Sequence, residues 1–291
     1  MYNVTKITLV LIFTFLGVNH LFALINLELV NSQIIEMDLV KTLSILYNSD
    51  NIVLLESNDN NLVLKEYMTR NRAKYYAEIE KSENSITIHN GKRPWLIRTR
   101  IEVYIPRIYK NNLTVNLRSG NITINNISSG DIFVEVTSGN IKLNNCQGKL
   151  NIANRSGNVE VSNFLGEGQI NVRSGNITIN NCQGKFNVTD KSGIIEANSF
   201  LGEGFFNVGS GIINFTVNDI AGNISLSSTS GNINFLIGSN ISFILDAEVR
   251  SGNIRIPNLG RLVNAKVQHN IGTEPVYTLL VKCGSGNINI K

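Results

Sequence analysis

From Leu113 onward, apolar and polar residues alternate in short runs, as in Ile170 and Val172, then Ile177 and Ile179, with Gln, Asn and Thr between them. Alternation with period two sends neighbouring side chains to opposite faces of an extended chain, so each run predicts a short strand with Ile and Val inside and Asn, Thr and Ser outside. The strands come in pairs with a Ser-Gly-Asn triplet between them, at Ser119-Gly120-Asn121, Ser138-Gly139-Asn140, Ser156-Gly157-Asn158, Ser174-Gly175-Asn176, Ser230-Gly231-Asn232, Ser251-Gly252-Asn253 and Ser285-Gly286-Asn287. Variants stand at Ser129-Gly130-Asp131, Ser192-Gly193-Ile194 and Ser210-Gly211-Ile212. Gly supplies a turn with positive φ, and Asn side chains one rung apart can pair as an amide ladder. The two copies with Ile in place of Asn should interrupt such a ladder.

Between residues 138 and 210 the triplets fall every 18 residues, and segment 144–179 aligns without a gap on 180–215, identical at about half its positions. One 18-residue unit cannot bury its own apolar face, whereas stacked units bury it continuously. The pattern therefore predicts an all-β chain, a single-stranded β-solenoid (β-helix) with rungs of about 18 residues. An antiparallel meander of 9-residue hairpins is the rival arrangement; the regular 18- and 36-residue register favours the coil.

Residues 25–115 have a different texture: β-rich runs such as Ile52-Val53-Leu54-Leu55, Ser85-Ile86-Thr87-Ile88 and Ile101-Glu102-Val103-Tyr104-Ile105, set off by turn strings such as Asn48-Ser49-Asp50-Asn51. These predict a β-rich cap over the first rung, since an open rung would expose unpaired backbone. The apolar run Ile7–Phe22 after Lys6 has the layout of a secretory signal or, uncleaved, of an N-terminal anchor. The expected organisation is thus a leader over 1–24, a cap over 25–115 and repeats over 116–291, in a protein exported to the periplasm, the cell surface or beyond.

Composition agrees with this picture. Charged residues make up 16 % and Gly numbers 24 against 4 Pro, which suits strands and turns. A net charge of +4 without a nucleic-acid signature argues against DNA or RNA as partner. The three cysteines are Cys146, Cys182 and Cys283. The first two recur in the string Asn-Asn-Cys-Gln-Gly-Lys, two rungs or ~9.5 Å apart, beyond the roughly 7 Å that a disulfide tolerates, so no bond between them is expected. His20, His89 and His269 stand alone, with no partner at ligand spacing.

The Ser-Gly-Asn-Ile repeats, the β-rich leader ending in Ile105-Pro106 and the closing Gly284-Ser285-Gly286-Asn287-Ile288-Asn289-Ile290 resemble the bacterial putative adhesin family. That resemblance implies a β-solenoid of the cell envelope and an adhesive role.

Two constellations carry possible chemistry. The pairs Glu160 with Glu196 and Glu167 with Glu203 each stand two rungs apart, ~9.5 Å, a carboxylate spacing that inverting glycosidases use. Duplication alone also produces such pairs, and the reading preferred is non-enzymatic, without a cofactor or metal. The second is a row of cations immediately before Ser-Gly pairs: Arg118, Arg155, Arg173, Lys191 and Arg250. Arg155, Arg173 and Lys191 should stack on consecutive rungs, a basic edge suited to an anionic envelope glycan, lipid headgroups or a surface protein. Arg93, Arg98, Arg100 and Arg107 extend the basic character upstream. Membrane contact is expected only through the N-terminal segment. Catalysis and a purely structural spacer are the alternatives.

Overall fold

The computed structural model describes residues 27–291 except 218, 239, 240 and 258; the expected leader, with His20, lies outside them. The protein is all-β, with one 3₁₀ turn, Ala73–Tyr75, as the only helical element among the described residues. Two ladders of parallel strands run side by side. The first contains β2 (Thr42–Ser49), β8 (Asn112–Ser119), β10 (Ser128–Ser138), β12 (Gln147–Ser156) and β14 (Leu165–Val172), and continues in the first halves of β16 (Gln183–Asn198), β17 (Leu201–Val217) and β18 (Ile224–Ile237). The second contains β3 (Asn51–Ser57), β9 (Ile122–Asn125), β11 (Ile141–Asn144), β13 (Val159–Ser162) and β15 (Gly175–Asn180), followed by the second halves of the same three strands. All these pairings are parallel, which excludes the hairpin meander, and from β8 and β9 onward they offset partners by about one 18-residue rung.

Each rung turns at the Ser-Gly pair and again at a residue in the left-handed region: Asn126, Asn145, Asn163, Asn181 and then Ser199. The left-handed asparagines are thus those of the second turn, whereas in the triplet the glycine takes the positive φ, 130° at Gly157 and 153° at Gly175. Glycines of successive rungs stack so closely that a Cβ on Gly175 would lie 2.0 Å from the carbonyl oxygen of Gly157. The triplet Asn instead faces outward and builds a ladder, in which Asn121 Nδ2 donates to Asn51 Oδ1 at 3.0 Å and Asn140 Nδ2 to Asn121 Oδ1 at 3.2 Å. Backbone N–H groups of Asn158 and Asn176 bond the amide oxygen one rung below. The ladder stops at Ile194 and Ile212 and resumes with Asn232, Asn287 and Asn253.

The ladders begin earlier in the chain than residue 116. β2 and β3 form a rung in register with β8 and β9, Ser49 opposite Ser119 and Ile52 opposite Ile122. Its turn is Ser49-Asp50-Asn51, in which Asp50 holds the place of the triplet glycine. The segment between β3 and β8 closes this end. β6 (Ser85–His89) lies parallel on β2 with β5 (Glu78–Lys81) antiparallel beyond it, while β7 (Thr99–Pro106) lies on β3, followed by antiparallel β4 (Leu62–Met68) and β1 (Glu28–Ile35).

At the far end the chain order is broken. β22 (Thr278–Ile290) lies between β18 and β19 (Phe243–Ile256), parallel to both, and β20 (Gly260–Val263) and β21 (Lys266–Ile271) cover β19 antiparallel.

The core is a set of columns along the coil axis. Leu150, Gly168, Phe186 and Gly204 occupy one column on consecutive rungs, and a Cβ on Gly168 would sit 2.5 Å from the Phe186 ring. A second column alternates Cys146, Phe164, Cys182 and Phe200. Large residues thus face small ones from rung to rung, which accounts for the 36-residue period laid over the 18-residue one. Phe164, Phe186, Phe200, Phe206, Phe215, Phe235 and Phe243 form an unbroken chain of ring contacts with centroids 4.8–6.1 Å apart.

Candidate functional site

The outward face of the first ladder carries the chemistry. Because every rung is in register, outward residues form columns as the inward ones do. Five positions before each Ser-Gly serine, one column reads Phe133, Asn151, Gln169, Asn187 and Phe205. Three side-chain amides are therefore bracketed by two exposed phenyl rings over four rung steps, ~19 Å. Next to it runs Glu135, Ala153, Asn171, Thr189 and Asn207.

Two depressions share Asn151 and Gln169 on this face: one of about 520 Å3 reaching from Lys149 to Leu280, and one of about 370 Å3 that includes Phe133, Glu135 and Asn171.

The expected basic edge borders the same face. The register sets Arg155, Arg173 and Lys191 on consecutive rungs, at ~4.8 Å spacing, all exposed and without an ion-pair partner among the described residues. Arg118 lies on the same edge but is separated from Arg155 by Thr137. Arg250 is further away, beyond Gly209, Thr229 and Gly284. Three of the five cations are thus contiguous and two are not, because the rungs between carry Thr or Gly at that position.

Upstream, the cations of 92–110 do not form a basic edge. Arg93 is buried with Asp50 and Glu66, Arg100 pairs with Glu102 at 2.7 Å and Arg107 with Glu56 at 3.4 Å, leaving Lys92, Arg98 and Lys110 exposed and without an ion pair among the described residues.

The carboxylate pairs have a different setting from an acid–base dyad. Asp131, Lys149, Glu167, Lys185 and Glu203 follow one another on consecutive rungs, signs alternating, with Lys185 Nζ 3.1 Å from Glu203. Lys185 therefore stands between the two glutamates proposed as partners. On the second ladder Glu160 is bonded by Lys142 at 2.8 Å, and Thr178 separates it from Glu196.

Asn154 and Asp190 are the two buried amide and carboxylate groups of the repeat, beside the smaller buried hydroxyls of Ser129 and Ser228. Asn154 is satisfied, its Nδ2 donating to Gly139 O at 3.0 Å and its Oδ1 accepting from Ser156 N–H at 3.1 Å. Two rungs on, Asp190 is fully buried; Oδ1 accepts from Ser192 N–H, while Oδ2 has no hydrogen-bond partner, and burial raises its pKa above the ordinary carboxylate value. In the cap, Glu66 and Asp50 converge on Arg93, and Glu66 Oε2 also accepts from Asn31 at 2.7 Å and from Ala77 N–H at 2.9 Å. Thr99 donates to Asp50, and the Arg93 guanidinium lies 5.4 Å from the Tyr47 ring centre.

All three thiols are free and buried, as expected for Cys146 and Cys182; burial holds Cys182 at a pKa of about 11, so these are core residues and not reactive ones.

The outward aromatics were not among the residues singled out from sequence. Phe133 and Phe205 sit in apolar strings, Ile132-Phe133-Val134 and Phe205-Phe206, where only counting back from the Ser-Gly pair reveals which ring points out.

A family model described as Toastrack DUF4097 matches residues 40–291. Three solved structures align with 90 % of this chain: a putative adhesin from Parabacteroides merdae (13 % identity, 95 % of that chain, TM-score 0.36), one from Bacteroides fragilis (12 %, 96 %, 0.34) and a putative cell adhesion protein from Clostridium sporogenes (11 %, 97 %, 0.27). No curated protein matches.

Proposed function

The chain belongs to the Toastrack DUF4097 family, and within it we propose an exported, non-enzymatic binding scaffold of the cell envelope, adhesin-like in action, whose ligand is an extended anionic glycan. The observation that carries this is the column Phe133, Asn151, Gln169, Asn187, Phe205 beside the unpaired row Arg155, Arg173, Lys191. Sugar rings offer apolar faces to aromatic side chains and hydroxyls to amides, and acidic groups on the polymer would bridge cations that otherwise repel one another. Each rung adds one weak polar or ionic contact, and a polymer that spans several rungs sums them.

The test is calorimetric titration of the protein with a panel of uronate- or phosphate-bearing polysaccharides at low and high salt. Arg155/Arg173/Lys191→Ser should abolish the salt-sensitive part of the affinity, and Phe133→Ser with Phe205→Ser should weaken binding about 30-fold, each of the two aromatic contacts being worth about 1 kcal/mol. If no polysaccharide binds, the scaffold reading fails and a structural spacer takes its place. Chain cleavage that Glu160→Gln or Glu167→Gln abolishes would replace it with an enzyme.

A further inference from the structure

The cap carries a second surface, remote in sequence from the glycan face and of different character. Segments 69–75 and 92–98 are tied together: Thr69 N–H donates to Arg98 O at 3.2 Å, Arg98 N–H to Thr69 Oγ1 at 3.3 Å, and Lys92 N–H to Lys74 O at 2.9 Å. At the tip stand Trp95, 88 % exposed, and Leu96, 66 % exposed. Their exposure is built in and not a matter of a loose loop. On one side of them Arg93 is held by Asp50 and Glu66; on the other Ile97 is buried in a small cluster with Met68 and Tyr75. The backbone is fixed on both sides, so the two large apolar side chains are presented to solvent.

Arg70, Arg72, Lys74, Lys92 and Arg98 stand on the two tied segments that carry this tip, all exposed and none in an ion pair among the described residues. Neither 69–77 nor 90–101 contains an acidic residue, and their other two cations, Arg93 and Arg100, are each paired with acids. A tryptophan and a leucine accompanied by unneutralised cations match the boundary of a bilayer with anionic headgroups. There the indole sits at headgroup level, and each nearby Lys or Arg is drawn to the negative surface potential. The first described residue, Leu27, lines the same depression as Trp95, Ile97 and Arg98, and the apolar run Ile7–Phe22 lies a few residues upstream in the sequence. We infer that the Trp95–Leu96 tip and its cations dock on an anionic lipid bilayer.

Trp95 is the chain's one tryptophan, so its fluorescence reports on this tip alone. The full-length protein would be mixed with vesicles of phosphatidylcholine, or of phosphatidylcholine with 30 % phosphatidylglycerol, and pelleted to measure binding while Trp emission and acrylamide quenching are recorded. The proposal expects a blue shift and loss of quenching on the anionic vesicles, at least tenfold weaker in Arg70/Arg72/Lys74→Gln and unchanged in Arg155/Arg173/Lys191→Ser. A protein that pellets with vesicles while Trp95 stays fully quenchable would be held by another segment, and the proposal would fall. It would equally fall if no vesicle bound, if neutral vesicles gave the same shift, or if soluble polyphosphate alone reproduced it. β-sheet circular dichroism of each variant guards against misfolding, and Trp95→Phe with Leu96→Ser, read by pelleting, gives a second measure. Failure of glycan binding leaves these outcomes untouched, since the two surfaces share no residue.

Discussion

The coil and its cap solve the problem of polar groups in opposite ways. In the coil a side chain's surroundings are its own counterparts one rung above and below, so polar groups are kept outside in columns and satisfied by repetition, as in the amide ladder from Asn51 to Asn176. Where the cap meets the first rung, Asp50, Glu66 and Arg93 come from three unrelated segments and are buried together, each present once. Repetition spreads stability over many small, equal terms, whereas the cap concentrates it in a few large ones.

Removing the shared cation is the severest way to break that contrast. Arg93→Met should cost about 3–5 kcal/mol in chemical denaturation, because two buried carboxylates lose their counter-charge. Adding Asp50→Asn and Glu66→Gln should restore part of the loss, and no restoration would mean that packing of the Arg93 side chain is what matters.

In the coil the largest single effect should come from the stacked glycines. Gly175→Ala places a Cβ 2.0 Å from Gly157 O at a φ of 153°, and should cost more than about 1 kcal/mol by the same measurement.

Asp190, buried among the repeats far from the cap, sharpens the comparison further. Asp190 has a raised pKa in the folded state, so its contribution to stability is fully present below the pKa of the unfolded chain and is lost as pH rises through the folded value. When protonated, Oδ2 occupies the role of the Asn154 Nδ2 and can donate to the neighbouring rung. Asp190→Asn should therefore stabilise the protein by about 1 kcal/mol at pH 7 and flatten the acid limb of its stability profile. A variant less stable than the parent at pH 7 would refute the isosteric reading.

Smallest of all should be a single ladder amide. Asn158→Ala removes one acceptor on an exposed edge and should cost about 0.5 kcal/mol, no more than the coil already forgoes at Ile194 and Ile212.

This difference also decides what could be read from sequence. The rung length, the parallel register and the stacking of Arg155, Arg173 and Lys191 all follow from period and parity, because each residue's neighbours are its own homologues. The first rung escaped notice because Asp50 stands where the triplet has Gly, and that substitution makes sense only beside Arg93 and Thr99, more than forty residues on. Likewise, nothing local to Arg93 or Arg100 distinguishes a paired cation from a free one, so the upstream basic stretch reads as carrying more free charge than it does. The outward rings of Phe133 and Phe205 were masked by apolar neighbours, and the carboxylate pairs looked like partners until the register put Lys185 between Glu167 and Glu203.

The place of β22 bears on the order in which the molecule can be assembled. Most neighbouring rungs are closed by contacts about 18 residues apart, but Asn232 meets Asn287 across 55. β18 can be laid on β17 as soon as it leaves the ribosome, whereas β19 has no seat until residues 278–290 arrive to lie beneath it. Through that interval the open end of the coil and the β19–β21 hairpin are both unpaired, with long loop closure still ahead of them. Synthesis therefore passes through a stage in which nearly the whole coil is built and its last two rungs must be exchanged into order at once, and it is at this stage that a second nascent copy could most easily donate its own strand instead.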